Sequence, residues 1–339
     1  MNTRPLKLAA ILLTPMMAFA LEEKRIADMF DPLATPADEV VKISILTLSI
    51  CLAIFLVVAG LLAYTIFKFR RRPGDDASEP PQVYGSNQIE IAWTVIPLLI
   101  VFVLIMVTAR VVSAVQNKAF PADAIHATVI GHQWWWELRY PELGIVTANE
   151  LHVPVSSSSG GLPTVLTLQS ADVIHSFWIP QLAGKTDVIP NRDNHMWIDP
   201  REPGLYFGNC AEYCGTQHAK MLIRVVVQPK NEFDEWVANQ KKNAVNDQAV
   251  ALGRATFESL SCVNCHTIHG TVAAGVFGPD LTHLMSRQVI ASGALTNTPE
   301  HLRAWIHDPD QDKPGSLMPA MLLSDLEVNQ IVAYLETLK

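Results

Sequence analysis

Residues 208–221 read Gly208-Asn209-Cys210-Ala211-Glu212-Tyr213-Cys214-Gly215-Thr216-Gln217-His218-Ala219-Lys220-Met221. Two thiols lie four apart, an imidazole follows four residues later and a thioether three beyond that. One compact loop can therefore offer two bridging sulfurs and two terminal ligands, and a remote histidine, His175, would complete a two-metal cluster. Thiolate, imidazole and thioether are soft or borderline donors that suit copper, whereas structural zinc sites do not normally recruit methionine. A Cys210–Cys214 disulfide, compatible with an oxidising compartment, and a mononuclear site are the competing readings. Around this loop, residues 125–228 break into short β-type runs at Ala127–Trp136, Val165–Gln169, His195–Ile198 and Met221–Gln228, separated by Pro, Gly, Asn and Asp. That pattern predicts a small sandwich or barrel over 120–239, ending in a short helix at 231–239.

Upstream the chain turns apolar. Of its 339 residues 49% are hydrophobic and 17% charged, and the mean hydropathy is +0.20, so membrane segments are the first expectation. Ile43–Phe67 and Ile91–Ala109 carry no charged side chain, and each is long enough as a helix to cross about 30 Å of hydrocarbon. A transmembrane hairpin follows over 21–115, with helices at about 43–67 and 91–112. Lys68, Arg70, Arg71 and Arg72 open the connecting loop and favour its cytoplasmic placement, which puts everything after residue 115 outside. Arg4 and Lys7, the apolar run Leu8–Leu13 and Ala18-Phe19-Ala20 read as a secretory signal over 1–20, the alternative being an uncleaved anchor. The net charge of −8, with no basic stripe, excludes nucleic acid as a partner. Cys51, in mid-span, reads as a small apolar residue.

Downstream, the polar stretch 240–247 has the make-up of a linker, and 248–339 forms a third unit containing Cys262-Val263-Asn264-Cys265-His266. Two thiols at this spacing can form thioethers to the two vinyl groups of one haem while the next histidine reaches the iron. A thioredoxin-like redox pair or half a zinc site are the alternatives, but no second cysteine pair is available nearby. The sixth ligand is expected after Gly278-Pro279-Asp280-Leu281, from Met318 or Met321. Lys313-Pro314-Gly315-Ser316-Leu317-Met318-Pro319 resembles the methionine loop of class I cytochromes c, which selects Met318 and leaves Met321 packing near the ring. His269, His283, His301 and His307 are the other candidates. Leu326, Ile331, Val332 and Leu335 recur at helical spacing; the resemblance to class I cytochromes c further implies that Gly253 and Phe257 lie in the first helix and that Asp325–Lys339 forms the last helix packing across it.

Taken with the twin apolar segments, the stretches GHQWWWELRY (131–140), DVIHSFWIP (172–180) and KTDVIPNR (185–192) make the chain resemble subunit II of the haem-copper cytochrome c oxidases, in its caa3-type form with a fused cytochrome c domain. The resemblance implies a multidomain membrane protein: a two-helix transmembrane hairpin, a cupredoxin-like all-β barrel and an all-α class I cytochrome c domain. It implies a binuclear copper CuA centre bridged by Cys210 and Cys214, with His175, His218 and Met221 as further ligands. Glu212 would give its backbone carbonyl as a weak ligand, its carboxylate facing a magnesium ion at the contact with subunit I. Trp134 would be where electrons come in, against a simple packing role. Glu90, otherwise an interfacial acid on the positive end of a helix dipole, would mark a proton-channel entrance into subunit I.

The implied function is that of the oxidase subunit that receives electrons. They would pass from a cytochrome c or a cytochrome-reducing complex through covalent haem c to CuA and on to subunit I, where oxygen is reduced to water with proton pumping. Subunits I and III and membrane lipid are the implied partners, and the implied location is a bacterial inner membrane, with both C-terminal domains periplasmic. Tethering through 240–247 would give the haem a high effective concentration at the copper domain. Two rivals stand beside this reading: a membrane-anchored haem c/CuA protein serving another terminal reductase, since nitrous oxide reductases carry a similar CuA domain, and a copper-delivery protein, which has no use for a covalent haem. Quinol oxidase subunits II share the hairpin and barrel but lack the copper ligands present here.

Overall fold

The computed structural model describes residues 27–74, 79, 81–116, 119–156 and 162–339. The expected signal segment, 1–20, lies outside the described residues. Two long helices come first, α1 (Thr35–Lys68) and α2 (Asn87–Gln116). Both outrun the charge-free stretches, because an uncharged run measures only hydrocarbon thickness. The backbone stays helical through interfacial residues such as Asp38, Glu39 and Lys42, the last two paired at 2.5 Å. At 1.5 Å per residue α1 is about 51 Å long, well beyond the hydrocarbon core. Leu52, Phe55, Leu98 and Phe102 are all more than half exposed, an apolar surface of the kind that lipid or a neighbouring subunit covers. The foot of α1 is tied to the next domain: Arg201 donates to both carboxylate oxygens of Asp38 at 2.7 and 2.9 Å, and Trp197 Nε1 donates to Val115 O at 2.6 Å, next to the end of α2.

Ten strands follow: β1 (Ile125–His132), β2 (Trp135–Tyr140), β3 (Ile145–Ala148), β4 (Glu150–Pro154), β5 (Thr164–Ser170), β6 (His175–Trp178), β7 (Thr186–Val188), β8 (Asn194–Ile198), β9 (Gly204–Cys210) and β10 (Leu222–Gln228). They form two five-stranded sheets, ordered β3-β2-β1-β5-β8 and β4-β10-β9-β6-β7. Trp136, Leu138, Tyr140, Leu151, Leu168, Phe177 and Tyr206 fill the space between them, all fully buried. The expected single run 127–136 is two strands. His132 pairs with Trp135 across a tight turn made by Gln133 and Trp134, which puts Trp134 on a turn and not on a strand face. Strand β9, unforeseen because Gly204, Gly208 and Asn209 depress β-propensity, forms because β10 and β6 pair with it on either side. Gly208 is required there, since a Cβ would lie 2.3 Å from Trp178 O and from Ile179 Cδ1.

Helix α3 (Lys230–Gln240) closes this domain, and the last unit contains α4 (Ala251–Ser259), α5 (Cys262–Cys265), α6 (Pro299–His307), α7 (Pro309–Asp312) and α8 (Asp325–Leu335). Phe257, Leu302, Ile306, Val328, Ile331 and Leu335 make its core. Helices α4 and α8 touch at Gly253, where a Cβ would stand 2.0 Å from Gln330 O. The stretch 240–247 is not a free tether. Gln240 still belongs to α3, Ala244 N donates to His269 O at 2.9 Å, and Lys242 O lies 3.1 Å from His283 Nε2. Backbone groups of this polar stretch are taken up by the neighbouring loops.

Candidate metal centre and haem pocket

Pairing of Phe177 on β6 with Cys210 on β9 brings the start of β6 to the end of β9. The loop between β9 and β10 then returns Cys214, His218 and Met221 to the same point. Cys210 Sγ lies 3.8 Å from Cys214 Sγ and 3.9 Å from His175 Nδ1. Cys214 Sγ lies 3.7 Å from His218 Nδ1 and 3.9 Å from Met221 Sδ. Glu212 O is 3.2 Å from Cys210 Sγ, while its carboxylate-bearing side chain is exposed. All six residues expected at the copper site are thus gathered. At 3.8 Å the sulfurs are not bonded, and both cysteines are free thiols. Cys210 is the more acidic of the pair, because contact with the Cys214 sulfur favours its thiolate while that charge, with burial, disfavours ionisation of Cys214. Two thiolates so close need cations between them, which a metal pair supplies. Asp172, overlooked in the sequence although it stands three residues before His175, holds His175 Nε2 at 2.8 Å and so leaves Nδ1 facing the sulfurs. Trp136 packs behind the His175 ring at 5.9 Å.

In the helical domain Cys262, Cys265, His266, Met318 and Met321 line one cavity of about 530 Å³, walled by apolar residues such as Phe257, Leu284, Leu302 and Ile306. His266 Nδ1 is held by Pro279 O at 2.7 Å, which leaves Nε2 for a metal. Burial pulls its pKa down and keeps the ring neutral. Gly278 lets the backbone approach this ring, since a Cβ would lie 2.7 Å from its Cε1. The histidines weighed against methionine are elsewhere: both nitrogens of His283 are engaged by backbone carbonyls, His301 by Thr296, His269 faces Asp280, and none of these, nor His307, lines the cavity. The cavity fits a haem on a separate count. Arg287 is buried on the cavity wall; its Nη2 donates to Asp280 O, and its Nε has no hydrogen-bond partner among the described residues. A buried guanidinium facing an apolar space calls for an anion, and haem carries two carboxylates.

Comparison with known proteins finds three matching families along the chain. The cytochrome c oxidase subunit II transmembrane-domain family matches residues 24–111, the subunit II periplasmic-domain family 159–228, and the cytochrome c family 250–339. Cytochrome c oxidase subunit 2 of Alkalihalophilus pseudofirmus is 35% identical over 335 residues, covering 96% of this chain and 95% of that one. This chain belongs to the cytochrome c oxidase subunit II family. The subunit 2 of Bacillus sp. PS3 is 34% identical over 291 residues, 80% of each chain. The periplasmic domain of subunit II from Bradyrhizobium japonicum superposes with a TM-score of 0.34 at 30% identity, over 36% of this chain and 97% of that one. As a subunit II, the chain is a membrane-anchored component of an oxidoreductase complex, with a cupredoxin-like copper domain and a haem-binding cytochrome c domain.

In this subunit II the two domains are docked. Trp134 Nε1 donates to Cys214 O at 3.0 Å, while the same residue lines the haem cavity with His132, Gln133 and Trp135. Lys313 Nζ donates to Trp134 O at 2.6 Å and to Ala291 O at 3.1 Å. From the copper loop, Gln217 Nε2 donates to Pro314 O at 2.6 Å and Lys220 Nζ to Asp312 O at 2.5 Å. Further along the joint, buried Glu150 accepts the backbone N–H groups of Gln288 and Val289 at 2.8 and 3.0 Å, Arg224 donates to Gln288 at 2.7 Å, and Ser292 Oγ donates to Leu222 O at 2.9 Å. Glu150 and Arg287 carry no motif, so nothing in the sequence singles them out, and Lys313 stands out only as the first residue of the methionine loop. Glu90 sits in the first turn of α2 with its side chain exposed.

Proposed function

We propose that this chain is the electron-receiving subunit of a caa3-type cytochrome c oxidase, taking electrons from a cytochrome c or a cytochrome-reducing complex for delivery to subunit I, where oxygen is reduced and protons are pumped. When bound, a haem and a copper pair would each take up and release single electrons. Cys262 and Cys265 would hold the haem through thioethers, with His266 and Met318 on the iron. Cys210, Cys214, His175, His218, Met221 and the Glu212 carbonyl would hold the copper pair. Asp172 fixes the tautomer of His175, as outer-shell carboxylates do for metal-bound imidazoles. The exposed Glu212 carboxylate is assigned to a magnesium ion shared with subunit I, and Glu90 to a proton path into that subunit. The basic loop after α1 faces the cytoplasm of a bacterial inner membrane, the two C-terminal domains face the periplasm, and subunits I and III cover the helices beside lipid.

One observation carries this reading: the Trp134 indole reaches Cys214 O on one side and lines the haem cavity on the other. The half-buried indole packs against the core of the copper domain at that junction. Copper and haem counted per chain in the purified complex, with electron paramagnetic resonance, should give two coppers and one low-spin haem; zinc or a single blue copper overturns the assignment. Trp134→Ala should slow oxidation of the donor, and a normal rate removes Trp134 from the path. Acid extraction should leave haem on the chain unless Cys262 and Cys265 are replaced, and Glu90→Gln should slow proton uptake.

A further inference from the structure

We propose that Lys313 is a positioning residue that holds the cytochrome domain in one register on Trp134, and so sets the rate of electron transfer between the two domains. Its side-chain nitrogen bridges three segments distant in sequence: its own loop, Trp134 on the β1–β2 turn and Ala291 on the turn before α6. Lys313 is only 3% exposed and forms no ion pair among the described residues. Burying a lysine nitrogen against carbonyls is costly, and burial with Lys220 nearby pulls its pKa down to about 7, whereas an apolar side chain would fill the same space without that cost. The placement is therefore explained by the contact it makes. The turn it grips is itself unusual, with Ala291 and Ser292 both left-handed at φ 52° and 59°. Two adjacent non-glycine residues in that region are held there only by their surroundings. That conformation turns Ala291 O to Lys313, while Ser292 Oγ takes Leu222 O on the copper domain.

The copper domain grips the same tripeptide from its own side. Asp312 O, the Lys313 side-chain nitrogen and Pro314 O are all tied across the joint, two of them by Gln217 and Lys220, which flank His218. The next residue, Gly315, has φ +83°, and a Cβ there would stand 3.9 Å from the Trp134 ring. Three residues further on is Met318. The segment that would carry the haem methionine is thus fastened directly to the residue that touches Cys214. A joint made this way constrains sliding as well as separation, which a flexible tether does not.

The proposal rests on the reading that haem passes electrons to copper, and the test separates the two. In the intact oxidase the haem is reduced by a light pulse, and arrival of the electron at the copper is followed by absorbance in wild type, Lys313→Met, Lys313→Arg and Lys220→Ala. Hydrogen exchange of segments 133–136 and 289–294 is measured on the same preparations. No transfer in wild type would remove the functional reading itself. With transfer present, Lys313→Met should slow it about ten-fold or more, given how steeply such reactions depend on placement. It should also speed exchange in both segments, with both midpoint potentials unchanged, and Lys313→Arg should restore most of the rate. Unchanged transfer and exchange in Lys313→Met overturn the proposal, and so does slower transfer with shifted potentials and unaltered exchange, which would make Lys313 an electrostatic influence. Should Lys313→Met fail to retain its cofactors, Lys220→Ala is decisive: a two- to three-fold slowing with faster exchange in 312–316 supports the joint, and no change in either overturns it.

Discussion

Replacing Asp172 by asparagine tests how the copper-facing imidazole is held. Asp172 Oδ1 meets His175 Nε2 at 2.8 Å and accepts Val173 N–H at 2.6 Å, while Oδ2 accepts Gln133 N–H at 2.6 Å. Burial pushes the carboxyl up, but these donors outweigh it and hold the group below the usual aspartate value, so it is ionised at neutral pH. An asparagine has one acceptor oxygen for two sides. Whichever way the amide turns, its NH₂ opposes either Gln133 N–H or the His175–Val173 pair, and a charge-assisted bond worth about 1.5–3 kcal/mol is lost. Outer-shell partners of metal-bound histidines typically contribute about 10–100-fold in metal affinity, or about 1.4–2.8 kcal/mol. Asp172→Asn is expected near the lower end, since one acceptor remains, and Asp172→Ala near the upper. Copper retained per chain against a graded series of competing chelator, in the purified oxidase, measures this directly. If Asp172→Asn and Asp172→Ala both hold copper like wild type, the carboxylate does not orient the ligand and the account of His175 is wrong.

Three further outcomes follow from the packing. Gly253→Ala should destabilise the cytochrome domain by about 3 kcal/mol or more and lower its haem content, because the new methyl group collides with the backbone of α8 and cannot be relieved by a rotamer change; a wild-type melting midpoint would contradict this. Glu150→Ala leaves the N–H groups of Gln288 and Val289 unpaired inside the joint, at about 1–3 kcal/mol each, and should appear as faster hydrogen exchange across 287–290, whereas unchanged protection would show that Glu150 does not hold the domains together. Glu137 is pushed up by burial but pulled lower by hydrogen bonds from His132 and Arg139. Its contribution is therefore present above the unfolded value of about 4.3 and lost as pH falls through the lower folded value. Glu137→Gln should flatten the acid limb of the melting curve between about pH 5 and pH 3, and an acid limb as steep as wild type would refute it.

Much of this protein is legible without coordinates where the chemistry is local. The copper loop spaces its ligands within fourteen residues, and the haem motif within five, so neighbours in sequence are neighbours in space. The spans are readable because a run without charge has one physical reason. Legibility fails where formation depends on partners. Strand β9 carries Gly204, Gly208 and Asn209 around its two aromatic residues and exists through pairing on both edges, and the break of 127–136 into β1 and β2 is invisible to composition because aromatic residues continue through the turn. Helix ends miss by several residues for the reason that polar interfacial residues remain helical. The stretch 240–247 reads as a tether by composition and is strapped down by bonds to His269 and His283.

The sequence by itself determined the three-part plan, the membrane hairpin and the soft-ligand and haem motifs, since each depends on residue type at short spacing. Only the tertiary structure decided that Asp172 holds His175, that Arg287 is buried on the wall of the haem cavity, and that the two redox domains meet on Trp134 through Lys313. Those contacts join groups up to 179 residues apart. Hydrogen bonds and burial at that range come from how surfaces meet once the cores have formed, and no spacing along the chain encodes them.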